Sequence, residues 1–109
     1  MSKEATVWKY SIAQEPSNDP HEGNALLSIP ADATILSVDY EQGEFVAWCH
    51  VSKPPSSSIR KMRLFIVPTG EAAPVFLDCW SLVNRVDVVT YRNQAPSGLM
   101  RFHVFKRTK

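Results

Sequence analysis

The side chains able to ligate a metal or act as nucleophile and base are few: His21, Cys49, His50, Asp78, Cys79 and His103. A metal centre needs such groups to converge at workable spacing. Cys49 and His50 are adjacent on an expected strand, so their side chains leave on opposite faces and cannot easily share an ion. The chain contains no Cys-x-x-Cys and no His-x-x-x-His. Free cysteine more often serves as a small core hydrophobe, and Cys49 beside Trp48 suits that role. A Cys–His pair (Cys49 or Cys79 with His103) meets only if the fold brings the two together. Neither a strand-to-helix elbow nor a Gly-rich oxyanion element is present. Four glycines leave little room for a phosphate-cradling loop. Glu41 and Glu44 flank a turn, where solvation is the ordinary outcome. The expectation is a chain with no catalytic residue, no metal and no cofactor.

The strongest pattern is at the C-terminus, where Leu99 to Lys109 nearly alternates apolar with polar or basic residues. Such a strand puts one face into a core and turns Arg101, His103 and Arg107 the other way. The rest of the chain supplies partners for it. Thr6 to Ile12 alternates, with Trp8, Tyr10 and Ile12 on one face. Gln14 to Asn24 is a loop rich in Pro, Asn, Asp and Gly, and Ala25 to Ile29 is a short extended piece. Thr34–Tyr40 and Phe45–Val51 flank Glu41-Gln42-Gly43-Glu44, a tight reversal with Gly placed for positive φ. Lys53 to Ser58 reads as a loop and Lys61 to Val67 as a strand. Val86 to Tyr91 is β-branched, and Asn93 to Gly98 reads as a turn. Residues 74–84 are open between helix and strand, because a short apolar run fits either.

These elements predict one all-β domain over residues 1–109: an antiparallel sandwich or small barrel of about seven strands, with at most one short helix near 75–83. The loops near 14–24 and 53–58 are expected to be flexible. The expected core is Trp8, Tyr10, Leu36, Val38, Trp48, Leu64, Ile66, Phe102 and Val104. At 109 residues the chain needs no disulfide or metal to hold a core. No apolar run approaches the roughly 18 residues of a membrane helix. The first residues lack a basic segment followed by an apolar signal core, so the cytoplasm is the expected compartment, with both cysteines reduced.

With the strand order laid out, Val7-Trp8-Lys9-Tyr10, Ile29-Pro30-Ala31-Asp32-Ala33, Leu36-Ser37-Val38, Val46-Ala47-Trp48, Pro68-Thr69-Gly70 and Phe102-His103-Val104-Phe105 follow one another in an order that resembles a family of small β proteins of bacteriophages and prophages. Pro68 departs from the glycine that family usually carries, and 74–84 is longer than the family pattern. The resemblance implies a phage accessory role in the host cytoplasm and no catalytic residues.

Two kinds of binding remain. The first is docking on a host or phage protein, as a host-modulating or counter-defence factor. It uses edge strands and exposed aromatics, with Trp80 the aromatic best placed for the surface. The second is a nucleic-acid or nucleotide site on a small β-barrel, with Arg60, Lys61, Arg63, Arg92, Arg101, Lys106, Arg107 and Lys109 supplying charge and Tyr91, His103 and Phe105 supplying stacking. Charge distribution bears on both. Residues 1–50 hold eight acids and two bases, and residues 51–109 hold ten bases and three acids. The asymmetry can mark an anion-binding face, or acidic and basic strands can neutralise one another. The near-neutral pI of about 7.8 favours the protein partner. Homo-oligomerisation is a further option, since open sheets have edges to cover.

Overall fold

A computed structural model describes residues 4–16, 22–70 and 77–108. The alternating segments form eight strands: β1 (Glu4–Ser11), β2 (Ala13–Gln14), β3 (Ala25–Pro30), β4 (Thr34–Glu41), β5 (Glu44–Lys53), β6 (Ile59–Pro68), β7 (Trp80–Arg92) and β8 (Ala95–Arg107). They pair antiparallel into a small sheet, β1-β5-β4, and a large sheet, β2-β3-β6-β8-β7, the two layers of a β-sandwich. The eighth strand arises because the first one bends. Ile12 donates its N–H to Phe45 at 3.0 Å in the small sheet, and Ala13–Gln14 then pairs with Ala25–Leu26 in the large one.

The core lies between the sheets. Leu27, Ile29, Leu64 and Val104 enter it from the large sheet, and Val38, Ala47 and Cys49 from the small one, all fully buried. Ile66 and Phe102 join them, Phe102 only in part. The β4–β5 reversal is the expected one, with Gln42 and Gly43 at φ 51° and 85° over the closing pair Glu41–Glu44. Two asparagine side chains extend the hydrogen-bonding where no strand reaches. Asn24 grips the N–H and C=O of Ile66, both at 2.8 Å, and Asn84 grips those of Val38, both at 2.9 Å.

Four aromatic or aliphatic placements differ from the alternation argument. Trp48 faces outward, because Phe45, Ala47, Cys49 and Val51 take the inner positions of a nearly continuous apolar strand. Leu36 is displaced to the surface by a bulge between Ile35 and Ser37. Trp8 pairs with Cys49 on the inner face, yet β1 is an edge strand that the large sheet covers poorly, and the ring is 62% exposed. Trp80 is buried instead of exposed. It opens β7 opposite Arg107 and sets its ring edge-on to Phe65, centroids 5.7 Å apart. Gly23, at φ +77°, makes this possible: a Cβ there would overlap the Leu64 carbonyl and press on the Trp80 ring.

The expected turn at Asn93–Gly98 shrinks to Asn93–Gln94, both at positive φ, and β8 begins at Ala95. Pro96 is tolerated because it faces Tyr91 one step beyond the Arg92–Ala95 closing pair, where the ladder requires no donor from it. Beyond the 3-10 turn Leu77–Cys79, the ambiguous stretch is strand. Residues 71–76, and the part of the 14–24 loop at 17–21, lie outside the described residues. Among the described residues, no helix is long and apolar enough to cross a membrane.

Candidate functional site

Arg101, His103, Phe105 and Arg107 share the outer face of β8, as the alternation requires. On β6 this face carries Arg63, Phe65 and Val67, and on β7 it carries Trp80, Leu82, Arg85 and Asp87. Phe65, Phe105 and Leu82 form one row across three strands. Arg107 lies on one side of that row, and His103 and Arg85 on the other. Two of the charges on this face, Arg101 and Arg63, are engaged in ion pairs. Arg101 Nε donates to Asp87 Oδ1 at 2.9 Å, and Arg63 sits 3.3 Å from Glu15 and 4.0 Å from Glu22. Acids of the N-terminal half thus meet a base of the C-terminal half. His103 Nε2 lies 3.1 Å from Thr69 Oγ1, whose own hydrogen goes to the Arg101 carbonyl, so the imidazole is the donor of that contact. Trp80 lies on this face but is covered, its ring packed against Phe65 and under Gly23, and so is inaccessible as a docking anchor.

Cys49 and His50 diverge to opposite faces of β5: Cys49 is buried between the sheets and His50 is exposed. Burial pushes the Cys49 thiol above its ordinary range, opposed by the Arg60 guanidinium. Among the described residues, no group of three His, Cys, Asp or Glu side chains is gathered as metal ligands would be.

The second feature is at the other end of the molecule. β7 and β8 are each 13 residues long, about 44 Å when extended. β6 leaves β8 at the Pro68–Phe102 pair, so the rest of the hairpin continues as a two-stranded arm. Val89, Tyr91, Leu99 and Met100 are exposed along it. Between this arm and the β4–β5 hairpin runs an apolar groove of about 630 Å³, lined by Tyr40, Phe45, Val88, Met100 and Phe102. A hollow of about 350 Å³ adjoins it through Gln14, Phe45 and Phe102. The wall is an edge-to-face ladder: Tyr40 to Phe45 at 5.0 Å, and Phe45 to Phe102 at 5.1 Å. None of these positions stands out in the sequence as a site residue, and Phe102 is expected in the core. The available signal was length, because Val86–Tyr91 and Leu99–Met100 extend the hairpin past where its neighbours stop.

Concave, mostly apolar depressions with a few polar groups are the usual form of a binding site. Among the described residues this one offers no nucleophile–base pair, and its polar side chains are those of Gln14, Tyr40 and Thr90. No protein-family model, curated protein or solved structure matches this chain.

Proposed function

We propose that this chain is a non-catalytic module that works by binding another protein through the β7–β8 arm and the groove beneath it. The exposed apolar residues Val89 and Leu99, paired on one face of the arm with Tyr91 beyond them, and Met100 on the opposite, groove-side face carry this reading, on a ribbon that no third strand joins among the described residues. Two-stranded hairpins are marginal alone in water, and exposed apolar patches commonly mark interaction sites. A partner laid on the arm gains aromatic anchors and an open strand edge. The phage-family resemblance supplies the setting: an accessory factor acting on a host or phage protein in the host cytoplasm.

The aromatic row Phe65–Phe105, with His103 and Arg107 beside it, favours a second reading, a single-stranded nucleic acid stacked across the large sheet. The pairing of Arg101 with Asp87 and of Arg63 with Glu15 and Glu22 counts against it.

Capture of the tagged chain from bacterial host cells, with and without nuclease, separates the two. The expected result is a stoichiometric partner that survives nuclease and is lost when Tyr91→Lys and Leu99→Lys are combined. Material lost on nuclease treatment and retained by that double variant transfers the function to the aromatic row.

A further inference from the structure

Within the groove the backbone of β4 presents an unused hydrogen-bonding site. In the β4–β5 ladder Glu41 faces Glu44 across the two-residue turn, so that pair is hydrogen-bonded. Alternation then makes Tyr40–Phe45 and Val38–Ala47 the pairs whose N–H and C=O point away from the partner strand. At Val38 this is seen directly, because Asn84 fills both groups with its side-chain amide. Tyr40 lies one repeat further along the same edge. Its N–H and C=O have no backbone or side-chain partner among the described residues, and its ring lines the groove.

We infer that the groove receives an extended peptide segment of the partner protein, which adds as a strand to the free edge of β4 and pairs its backbone with Tyr40. The segment repeats at Tyr40 what the Asn84 amide does at Val38. One face of this added strand meets Phe45, Val88, Met100 and Phe102, so alternate side chains of the segment are apolar. Charge fixes a further feature. Arg92, which follows the groove-lining Tyr91 at the closing pair of the arm, has no carboxylate partner among the described residues. The neighbouring Glu41 carboxylate turns to the other face of β4, where Lys9 holds it at 3.1 Å. The segment therefore carries an acidic residue at the end nearest Arg92. This inference rests on the protein-binding reading above and specifies its ligand.

The test uses the full chain and a displayed library of random peptides roughly twelve residues long, about 40 Å when extended. Expected is enrichment of sequences that alternate apolar residues and end in an acid. In a synthetic copy of the best peptide, N-methylation of the amide facing Tyr40 should weaken binding by about tenfold or more, the effect of one lost hydrogen bond. Methylation of an adjacent amide, which faces away, should not. Met100→Lys should abolish peptide binding, and Arg92→Glu should weaken it several-fold in a salt-sensitive way; both residues are exposed, and a thermal melt of each variant checks the fold. Enriched peptides without alternation, equal effects of methylation at successive amides, or no enrichment at all overturn the strand-addition inference. A cellular partner still captured by Met100→Lys and lost with Tyr91→Lys and Leu99→Lys overturns the groove alone. Failure of capture by the unaltered chain removes the protein-binding reading itself.

Discussion

The side-chain amide of Asn84 holds both the N–H and the C=O of Val38, at 2.9 Å each, and so joins the edge of the small sheet to the large one. Asn84 sits beside an irregularity in β7, between Leu82 and Asn84, that directs it inward opposite Val104. No other hydrogen bond described between β4 and β7 reproduces the link. Replacing Asn84 by Ala leaves a part-buried donor and acceptor unpaired, at roughly 1–3 kcal/mol for each such group. The expected loss is about 2–3 kcal/mol in a urea denaturation series. Asn84→Asp keeps an acceptor for the Val38 N–H but sets a carboxylate oxygen against the Val38 carbonyl. It should be at least as destabilising near neutrality and partly recover on acidification, when the carboxyl regains a proton. An Asn84→Ala variant as stable as the parent would show that the stitch contributes nothing.

The tryptophans should separate sharply in stability. Trp80 is 6% exposed and packed on Phe65, so Trp80→Ala should cost on the order of 3–5 kcal/mol. Trp8 is mostly exposed, and Trp8→Ala should cost less than about 1 kcal/mol. Phe102, part-buried and edge-on to Phe45, should fall between, at about 3 kcal/mol. Thermal melts of the three variants rank them. A Trp8 variant less stable than the Trp80 variant would reverse the face assignments.

Strand positions and the Gly43 turn are largely legible, because period-two alternation and turn chemistry act through local sterics, whereas the reversal at Asn93–Gln94 is tighter than the Asn93–Gly98 turn that Pro96 and Gly98 suggest. What was not legible depended on neighbours. Phe45–Val51 is apolar at almost every position, so nothing local says whether Ala47 or Trp48 faces the core. Trp8 has the inward parity that alternation assigns, but how far the opposite sheet reaches over β1 is a tertiary matter. Trp80 is covered because Gly23, nearly sixty residues earlier, lets backbone approach it. The β8 stripe followed from parity alone, whereas its neutralisation by Asp87 required the β7 register. The groove combines both limits: its residues come from β2, β4, β5, β7 and β8, and no single segment carries its signature.

Cys49 gives a pH prediction. Burial raises its folded thiol pKa above the ordinary value of 9.0. The unfolded chain therefore ionises first as pH rises, which draws the equilibrium toward unfolding. Stability should be unaffected by this group below about pH 8 and should decline as pH passes the unfolded thiol pKa. Tyr10 shifts the same way, by desolvation first and then by Cys49 and Asp32, so the comparison must be with Cys49→Ala. That variant should lose less stability between neutral and alkaline pH than the parent does. A maleimide should also leave Cys49 unlabelled in the folded protein at neutral pH, since a buried neutral thiol is a poor nucleophile. Rapid labelling without unfolding, or identical alkaline slopes for parent and variant, contradicts the assignment.

The last prediction concerns the face of β8 that bears Arg101 and Arg107. Arg101 and Asp87 are each nearly half exposed, and such pairs contribute under about 1 kcal/mol. Reversing Arg101 and Arg107 to Glu together should therefore shift the melting temperature little, with a modest loss from opposing Asp87 to a new carboxylate. Binding separates from folding at this point. If single-stranded nucleic acid were the ligand, affinity would fall with salt at a logarithmic slope of about −0.7 for each phosphate neutralised. The double reversal would then abolish binding and flatten that slope. A protein partner held by the apolar arm should show only a shallow salt dependence, mostly in its association rate. Because Arg101 already spends its charge on Asp87 and Arg63 on Glu15, the expectation is weak or no binding to short single-stranded DNA or RNA even at low salt. Tight, steeply salt-dependent binding that the double reversal eliminates would make the β8 stripe the site and displace the arm.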